Sequence, residues 1–270
     1  MPEGDTLAGV ARRLQPLVGR VPAIATPQPR HAPLRIPERL AGQAVEAVEA
    51  HGKHLVIRFT GGLVLHSHLR MSGRWEIGPP GRATRRPRER AWLVVATDEV
   101  EGLLFNGPVL ELLTPAQARL HPALGRLGPD VLDAGFDADR ALAIARRGPA
   151  EQTVADVLLD QRVLAGVGNV WKSEALFDRR LDPWTRAADL DDAALGDLLG
   201  RAAAMMRAHV ASGAARRPVR VYGRANRPCP ACGTRLRARA QGDEGRRTFW
   251  CPACQRPLRP APRRGSPPSA

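Results

Sequence analysis

The start of the chain combines two groups that can do covalent chemistry. Met1 precedes Pro2, and an initiator methionine before a small residue is commonly removed, which leaves proline first with a secondary amine. Such an amine is nucleophilic when neutral, and its attack on an aldehydic carbon gives an iminium that is cationic without protonation. Glu3 stands beside it as a candidate general acid or base. Met-Pro starts are also common without any function, so an inert terminus is the alternative.

Four cysteines form a second chemical pattern. They occur as two pairs, each with two residues between its members, and 18 residues separate the pairs: Cys229, Cys232, Cys251 and Cys254. Two such turns suit tetrahedral Zn²⁺, and four thiolates leave no open coordination position. The spacing therefore predicts one structural zinc ion that stabilises an arginine-tipped hairpin, which can enter a groove of a nucleic-acid duplex.

Further residues can contact phosphates or bases. The ammonium of Lys53 can hold a phosphate and depress the pKa of an adjacent amine, or it is an exposed lysine at a strand end. Asn169 follows a Gly-x-Gly turn, where it and the backbone N–H groups can bind a phosphate, or the turn merely joins two helices. Met71 belongs to the core or protrudes as an apolar wedge into a base stack. Lys172 and Glu174 are expected to decorate a helix surface.

The elements that position these residues change along the chain. An apolar face at 6–19 predicts a helix started by Asp5 or Thr6. Short apolar runs predict strands of a β-sandwich or barrel, at 44–50, 54–60, 63–69, 92–98, 102–105 and 108–113. Helical periodicity then predicts an all-helical region, at 115–120, 137–147, 149–160, 170–179 and 189–210.

Net charge points to a polyanionic partner. The chain carries 41 basic and 27 acidic residues, a formal charge of +14. Residues 215–264 hold 14 arginines, no lysine and two acids, which is +12 of that total. Such a surface usually faces phosphate; a solubilising tail or a drift in composition is the alternative.

There is no run of 18 apolar residues, so no membrane span is expected, and the acidic N-terminus argues against a secretory signal. A reducing, cytoplasmic compartment is expected, without a disulfide framework.

Taken together, the motifs resemble the formamidopyrimidine-DNA glycosylase/endonuclease VIII family of base-excision repair enzymes. The resemblance spans almost the whole chain and rests on motifs in the right order: Pro-Glu-Gly at 2–4, HGKHL at 51–55, HSHLRMSG at 66–73, DQRVLAGVGNVWKSEALF at 160–177, VYGR at 221–224 and the cysteine pairs. It implies an α+β multidomain fold: an N-terminal β-sandwich with a leading helix at 1–113, a helix-two-turn-helix domain at 114–215 and a zinc-finger hairpin at 216–256. Residues 257–270 are predicted to be a disordered tail.

The resemblance also implies roles for individual residues. Pro2 would be the Schiff-base nucleophile, and Glu3 the acid that assists base loss and sugar opening. Three residues would grip the phosphates flanking the damage: Lys53, Asn169 and Arg246. Met71, with Arg70, would fill the gap left by a flipped nucleotide.

Two departures from the family pattern indicate a branch. Thr6 stands where the family usually has a glutamate, which leaves one proton-relay role unassigned. The purine-repair branch has an Arg/Phe pair where this chain has Asn106-Gly-Pro-Val, and a longer loop where this chain has only Ala214–Pro218. The absence of that pair and of that loop, together with the PEGDT start at 2–6, favours the endonuclease VIII-like side, which acts mainly on oxidised pyrimidines.

The sequence therefore predicts a bifunctional DNA glycosylase/AP lyase that acts as a monomer on damaged double-stranded DNA by β,δ-elimination. Two alternatives stay open. One is a purine-type glycosylase of the same family. The other is a non-catalytic zinc-ribbon protein that binds abasic or single-stranded DNA, which is favoured only if Met1 is retained.

Overall fold

A computed structural model describes residues 2–82, 85–241 and 245–257 of the protein. Of the tail predicted at 257–270, all but residue 257 lie outside the described residues, as do Met1 and the tip of the C-terminal hairpin.

Two four-stranded antiparallel sheets form the N-terminal part. One sheet has the order β2-β3-β4-β8 and the other β1-β6-β7-β5. Their strands are β1 (Ala23–Ala25), β2 (Val45–His51), β3 (His54–Phe59), β4 (Val64–His68), β5 (Arg74–Gly78), β6 (Leu93–Ala96), β7 (Glu101–Phe105) and β8 (Val109–Leu113). Every second residue points between the sheets, so β3 contributes Leu55, Ile57 and Phe59 to the core of the sandwich. The predicted sandwich is confirmed, although the sequence did not predict β1 or β5.

The leading helix α1 (Gly4–Arg13) closes one end of this sandwich. It begins two residues before the predicted start, and its N-cap is Glu3 rather than Asp5 or Thr6. Its apolar face packs into the sandwich core through Leu7 and Val10. The N-terminal residues are thereby anchored to the sandwich and directed toward the helical region.

The middle of the chain is helical, as predicted. The helices are α2 (Ile36–Arg39), which lies in the loop after β1, and then α3 (Pro115–Leu120), α4 (Ala138–Arg146), α5 (Val154–Leu159), α6 (Asn169–Asp178) and α7 (Asp192–Ser212). The sequence predicted that α5 starts at 149, but the helix starts after Thr153, whose hydroxyl accepts a hydrogen bond from the Asp156 N–H. A second core forms around α6 and α7, with Trp171 and Leu198 at its centre.

A two-stranded hairpin, β9 (Arg237–Gln241) and β10 (Arg246–Trp250), follows the helices and packs on α6. The predicted α+β order of sandwich, helical domain and hairpin is therefore confirmed. Among the described residues, no helix is both long and apolar enough to cross a membrane.

Candidate active site

Pro2 lies at the wall of a wide cleft. The cleft has a volume of about 850 Å³ and runs between α1, α7 and the short segment after α7. Pro2 is half-buried there, and five arginines contribute to the same walls: Arg12, Arg13, Arg74, Arg216 and Arg217. The cleft therefore combines a strongly positive lining with access to the first residues of the chain.

Glu3, the next residue, is fully buried on the N-terminus of α6. Its carboxylate accepts hydrogen bonds from the N–H groups of Gly168 at 3.2 Å, Val170 at 2.8 Å and Trp171 at 3.4 Å. Free N–H groups and the helix dipole make this end of α6 favourable for an anion. Burial nevertheless raises the pKa of Glu3 above its usual value, while Arg217, the Val170 N–H and Lys53 act in the opposite direction. Glu3 is therefore a carboxyl group that holds its proton to a higher pH than a surface glutamate does.

Glycines allow this close approach between the chain start and the Gly-x-Gly turn. A Cβ on Gly168 would lie 2.4 Å from Cδ of Glu3, and a Cβ on Gly4 would lie 2.9 Å from Cα of Gly166. The Gly4 N–H also donates to the Gly166 carbonyl at 2.9 Å. The N–H groups expected to bind a phosphate at this turn, those of Gly168 and Val170, instead bind the protein's own carboxylate.

A partly buried ion pair joins α1 to the segment after α7. The Arg217 guanidinium donates to Asp5 through Nε at 2.5 Å and through its terminal nitrogen at 2.6 Å. The same guanidinium donates to the hydroxyl of Thr6 at 2.9 Å, and Trp171 Nε1 donates to Asp5 at 3.3 Å. Thr6, at the position where the family usually has a glutamate, is thus an acceptor for Arg217. Sequence reasoning missed Arg217 because it is one of many arginines in a basic segment.

Lys53 lies in the tight turn between β2 and β3, close enough to Glu3 for its charge to act on that carboxyl. The preceding Gly52 has a φ of +57°, and its N–H donates to Asp130 at 2.6 Å. A Cβ on Gly52 would lie 3.2 Å from the Gly166 nitrogen, so this turn packs against the Gly-x-Gly turn. The structure thus brings together Pro2, Glu3 and Lys53. Asp130, 78 residues away, was not predicted from the sequence.

Asn169 and Arg246 belong to the two elements that meet where the hairpin packs on α6. Asn169 is buried, and its Nδ2 donates to the carbonyl of Arg247 at 2.8 Å. Arg246 begins β10 and is half-buried, and its charge acts on Lys172 of α6. Both residues that were predicted to contact phosphates therefore lie at this junction.

The expectation that Lys172 decorates a helix surface is wrong, because this side chain is completely buried. Its Nζ donates to the hydroxyl of Thr248 in β10 at 2.6 Å, and that hydroxyl donates to Gln241 at 2.5 Å. Gln241 in turn donates to Thr153 at 2.8 Å, and Thr153 donates to Asp156 at 2.6 Å. Burial lowers the pKa of Lys172 to about 8. A chain of hydrogen bonds from a cation to an anion therefore ties the hairpin to α5 and α6.

The same expectation is wrong for Glu174, which is 1% exposed. Its carboxylate accepts hydrogen bonds from the N–H groups of Arg220 at 2.8 Å, Val221 at 3.0 Å and Tyr222 at 2.8 Å. It anchors the VYGR segment, and Tyr222 thereby reaches the wall of the cleft that contains Pro2.

Arg70 and Met71 form an exposed turn at the end of β4. Met71 is 68% exposed, which excludes the alternative that it belongs to the core. Arg70 has a φ of +43°, and its N–H donates to Nδ1 of His68 at 3.1 Å. The two residues are exposed on the surface of the sandwich, whereas Glu3 is buried.

The four cysteines come together at the base of the hairpin. Their sulfur atoms lie within 4.8 Å of one another, with separations of 3.9 Å between Cys229 and Cys254, 3.5 Å between Cys232 and Cys251, and 3.4 Å between Cys232 and Cys254. A tetrahedron with metal–sulfur distances of about 2.3 Å has edges of about 3.8 Å. The four thiols are therefore arranged in a way that can hold a metal ion.

Known proteins resemble this chain along nearly its whole length. Residues 1–108 match the family model of the formamidopyrimidine-DNA glycosylase N-terminal domain, and residues 127–219 match that of the formamidopyrimidine-DNA glycosylase H2TH domain. The probable endonuclease 8 2 of Streptomyces coelicolor is 40% identical over 280 residues, covering 98% of this chain and 97% of its own. The DNA-(apurinic or apyrimidinic site) lyase Nei2 of Mycolicibacterium smegmatis is 34% identical over 265 residues, covering 94% and 99%.

A solved structure shows the same fold. The Lactococcus lactis Fpg in complex with DNA containing an abasic site has a TM-score of 0.79 to this structure, at 21% identity, covering 94% of this chain and 99% of that one. These findings confirm the resemblance inferred from the motifs. The protein belongs to the formamidopyrimidine-DNA glycosylase/endonuclease VIII family of DNA glycosylases and AP lyases.

Proposed function

We propose that the protein removes oxidised bases, chiefly pyrimidines, from double-stranded DNA and cleaves the strand by β,δ-elimination through the amine of Pro2. The observation that carries this proposal is the position of Pro2 at the wall of a positive cleft, directly next to the buried carboxyl of Glu3. A nucleophile and a proton donor are thus adjacent in sequence and in space. The proposal requires that Met1 is removed, because only then is the proline nitrogen a secondary amine.

The chemistry follows from these two groups. The Pro2 nitrogen attacks C1′ of the damaged nucleotide as the base leaves with the electron pair of the glycosidic bond, and the proton of the Pro2 amine passes to the departing base. Glu3 gives its proton to the sugar ring oxygen, and the ring opens to an iminium on Pro2. Because the iminium is cationic, it acidifies the C2′ protons. Loss of one proton expels the 3′ phosphate, and a second elimination expels the 5′ phosphate.

The raised pKa of Glu3 fits this role. A general acid works best when its pKa is near the working pH, and burial moves this carboxyl in that direction. The N–H groups of α6 hold the carboxylate that remains after the proton has left. Lys53 adds positive charge nearby, which disfavours protonation of the amine and keeps it nucleophilic.

Binding of the DNA is assigned to the basic residues around the cleft. Lys53, Asn169 and Arg246 are proposed to hold phosphates on either side of the damage, because all three lie at the junction of sandwich, α6 and hairpin. Met71, exposed on its turn with Arg70, is proposed to fill the gap left by the flipped nucleotide. Since phosphate contacts dominate, binding by the monomer should weaken steeply as salt rises.

The preference for pyrimidines rests on the walls of the cleft. The segment between α7 and the VYGR motif is short, and it lines the cleft rather than extending as a long cover. Its Arg217 is held by Asp5, close to Pro2. Without a longer loop to enclose a large bicyclic base, a smaller oxidised pyrimidine is the better match.

We propose that the four cysteines hold one structural Zn²⁺ ion. The sulfur separations fit tetrahedral coordination, and four thiolates leave no position for a substrate. When bound, the ion supplies folding free energy to a small, charged segment rather than chemistry to the reaction.

Borohydride trapping on an abasic duplex tests the proposal. The protein should form a covalent adduct. An extension of the N-terminus should abolish it, and Pro2→Gly, which replaces the secondary amine by a primary one, should reduce it strongly. The same extension at the C-terminus is the control and should leave trapping unchanged. An undiminished adduct in either N-terminal variant contradicts the assignment of Pro2.

A panel of damaged duplexes tests the substrate. Thymine glycol and dihydrouracil should be excised faster than 8-oxoguanine. The reverse order would support the purine-type alternative. If the protein neither forms an adduct nor excises a base but still binds abasic or single-stranded DNA tightly, the result would instead support a non-catalytic zinc-ribbon protein.

A further inference from the structure

A row of polar side chains crosses the outer face of the sheet β2-β3-β4-β8. Leu55, Leu65 and Leu110 point into the sandwich core, so their neighbours in sequence point to the opposite face. These neighbours, with His68 two residues after His66 on the same face, place three imidazoles and a carboxylate side by side: His54, His66, His68 and Glu111. The segment after α3, including His121, covers them.

Short distances between ring nitrogens and carboxylate oxygen connect this row into a chain of hydrogen bonds. His54 Nδ1 lies 2.8 Å from His66 Nε2, and His66 Nδ1 lies 2.8 Å from Oε2 of Glu111. His121 Nε2 lies 3.1 Å from the same Oε2 atom. His54 and His66 are 8% and 1% exposed, so solvent does not replace these contacts.

The partners at each end determine which nitrogen carries a proton. His121 Nδ1 accepts from the N–H groups of Ala123 at 3.2 Å and Leu124 at 3.3 Å, so its proton must be on Nε2, which donates to Glu111. A carboxylate only accepts, so His66 must carry its proton on Nδ1. In a neutral ring, His66 Nε2 is then an acceptor, and His54 must donate to it from Nδ1.

Burial favours the neutral form of the rings of His54, His66 and His68. Burial, with the charges of the other histidines and Lys53, lowers the pKa of His54 to about 3. Burial, with the charges of Arg70 and Lys53, lowers the pKa of His68 to about 4. Burial also lowers the pKa of His66, although Glu111 acts in the opposite direction.

We infer that Glu111 is a positioning residue, which fixes the tautomers of His66 and His54 and thereby holds the two turns that carry Lys53 and Arg70. His54 directly follows Lys53, and its ring contacts that of His68 with centroids 4.6 Å apart. His68 in turn accepts from the Arg70 N–H. The positioning role rests on the proposed function of these turns in DNA binding; the assignment of tautomers does not.

A metal site at His66, Glu111 and His121 is the competing interpretation, since their ligand atoms lie within 4.8 Å of one another. Metal binding through Nε2 of a neutral His121 would require its proton on Nδ1. That nitrogen already faces two N–H donors, so the surroundings favour the hydrogen-bonded form.

Substitutions at Glu111 distinguish the hydrogen-bonded form from a metal site, because the ring N–H groups of His66 and His121 donate to the same Glu111 oxygen. Glu111→Leu removes the acceptor, whereas Glu111→Gln keeps a carbonyl oxygen that can serve both donors. Glu49→Leu is the matched control: Glu49 is on the neighbouring strand β2 and contacts His51 and Arg58, outside the row.

¹⁵N NMR of the histidine rings in the full-length protein reads the tautomers directly. We expect protonated Nδ1 and unprotonated Nε2 for His54 and His66 in the wild type, Glu111→Gln and Glu49→Leu. Glu111→Leu should shift both rings toward the Nε2-protonated form. Unchanged tautomers in Glu111→Leu, or two protonated nitrogens on wild-type His66, would overturn the inference.

Affinity for an abasic-analogue duplex tests the positioning role. Loss of the charge-assisted hydrogen bonds in Glu111→Leu should weaken binding about tenfold. Glu111→Gln and Glu49→Leu should stay within about twofold of the wild type. Equal losses of affinity in Glu111→Leu and Glu111→Gln would refute the positioning role, because they would indicate a need for the charge or for a metal. Unaltered affinity in Glu111→Leu would refute it as well. Failure of the wild type to bind this DNA would instead contradict the proposed function and leave the tautomer result standing.

Discussion

Replacing Gly168 by alanine tests whether the position of Glu3 matters. The added Cβ would lie 2.4 Å from Cδ of Glu3, whereas ordinary contacts of this kind begin at 3.4 Å. Glu3 must therefore retreat by about 1 Å, and a displacement of that size lowers a reaction rate about 100-fold. The backbone of Gly168 is extended, with a φ of −123°, so alanine adds no backbone strain. Overpacking of this kind destabilises a protein by about 1–3 kcal/mol.

The assay is the rate of borohydride trapping on abasic duplex under single-turnover conditions. Gly200→Ala is the matched control, since this glycine lies in α7 with no atom within 4 Å of the added Cβ. Alanine there should stabilise the helix by about 0.5–1 kcal/mol and leave trapping unchanged. If Gly168→Ala is folded and traps as fast as the wild type, the reasoning about Glu3 is wrong.

Three other perturbations follow from the same contacts. Burial raises the pKa of Glu3 in the folded protein, so this group favours folding most at low pH, and its contribution is lost as pH rises through the raised value. Urea unfolding at pH 5 and pH 8 should therefore show Glu3→Gln gaining stability over the wild type at the higher pH; an equal difference at both pH values contradicts the shift. Lys172→Met breaks the hydrogen bond to Thr248 and should destabilise the protein by about 1–3 kcal/mol, with faster proteolysis of the hairpin, whereas an unchanged unfolding curve would show that the buried chain contributes nothing. Removal of the proposed zinc ion by a chelator should unfold the hairpin and weaken DNA binding about tenfold while the sandwich keeps its circular dichroism; collapse of the whole fold would show that the domains are not independent.

Local spacing was enough to predict part of this structure. The cysteine pairs and the alternating strands are visible in the sequence because each leaves a short-range pattern. Two tight turns space the cysteines of each pair, and the pleat of a strand alternates its side chains. The exposure of Met71 remained open, since a single methionine before a turn has no such pattern. Strand β5 was missed because it is a short strand at the edge of a sheet, where only Trp75 and Ile77 alternate with polar residues.

Contacts between distant parts of the chain could not be predicted in this way. Glu3 meets the N-terminus of α6 across 165 residues, and no local pattern reports that contact. Lys172 and Glu174 were placed on a surface because polar residues of a helix usually face water. Here α6 lies between α7 and the hairpin, so all sides of the helix are covered and the polar residues bond across domain contacts.

We propose that the nitrogen of Pro2 forms the covalent bond to DNA. Mass spectrometry of the borohydride-reduced adduct, after digestion of protein and DNA, tests it most directly. We expect the mature chain to lack Met1 and the sugar remnant to be attached to the nitrogen of Pro2. A remnant on the side chain of Lys53, or a trapped chain that still carries Met1, would contradict the account.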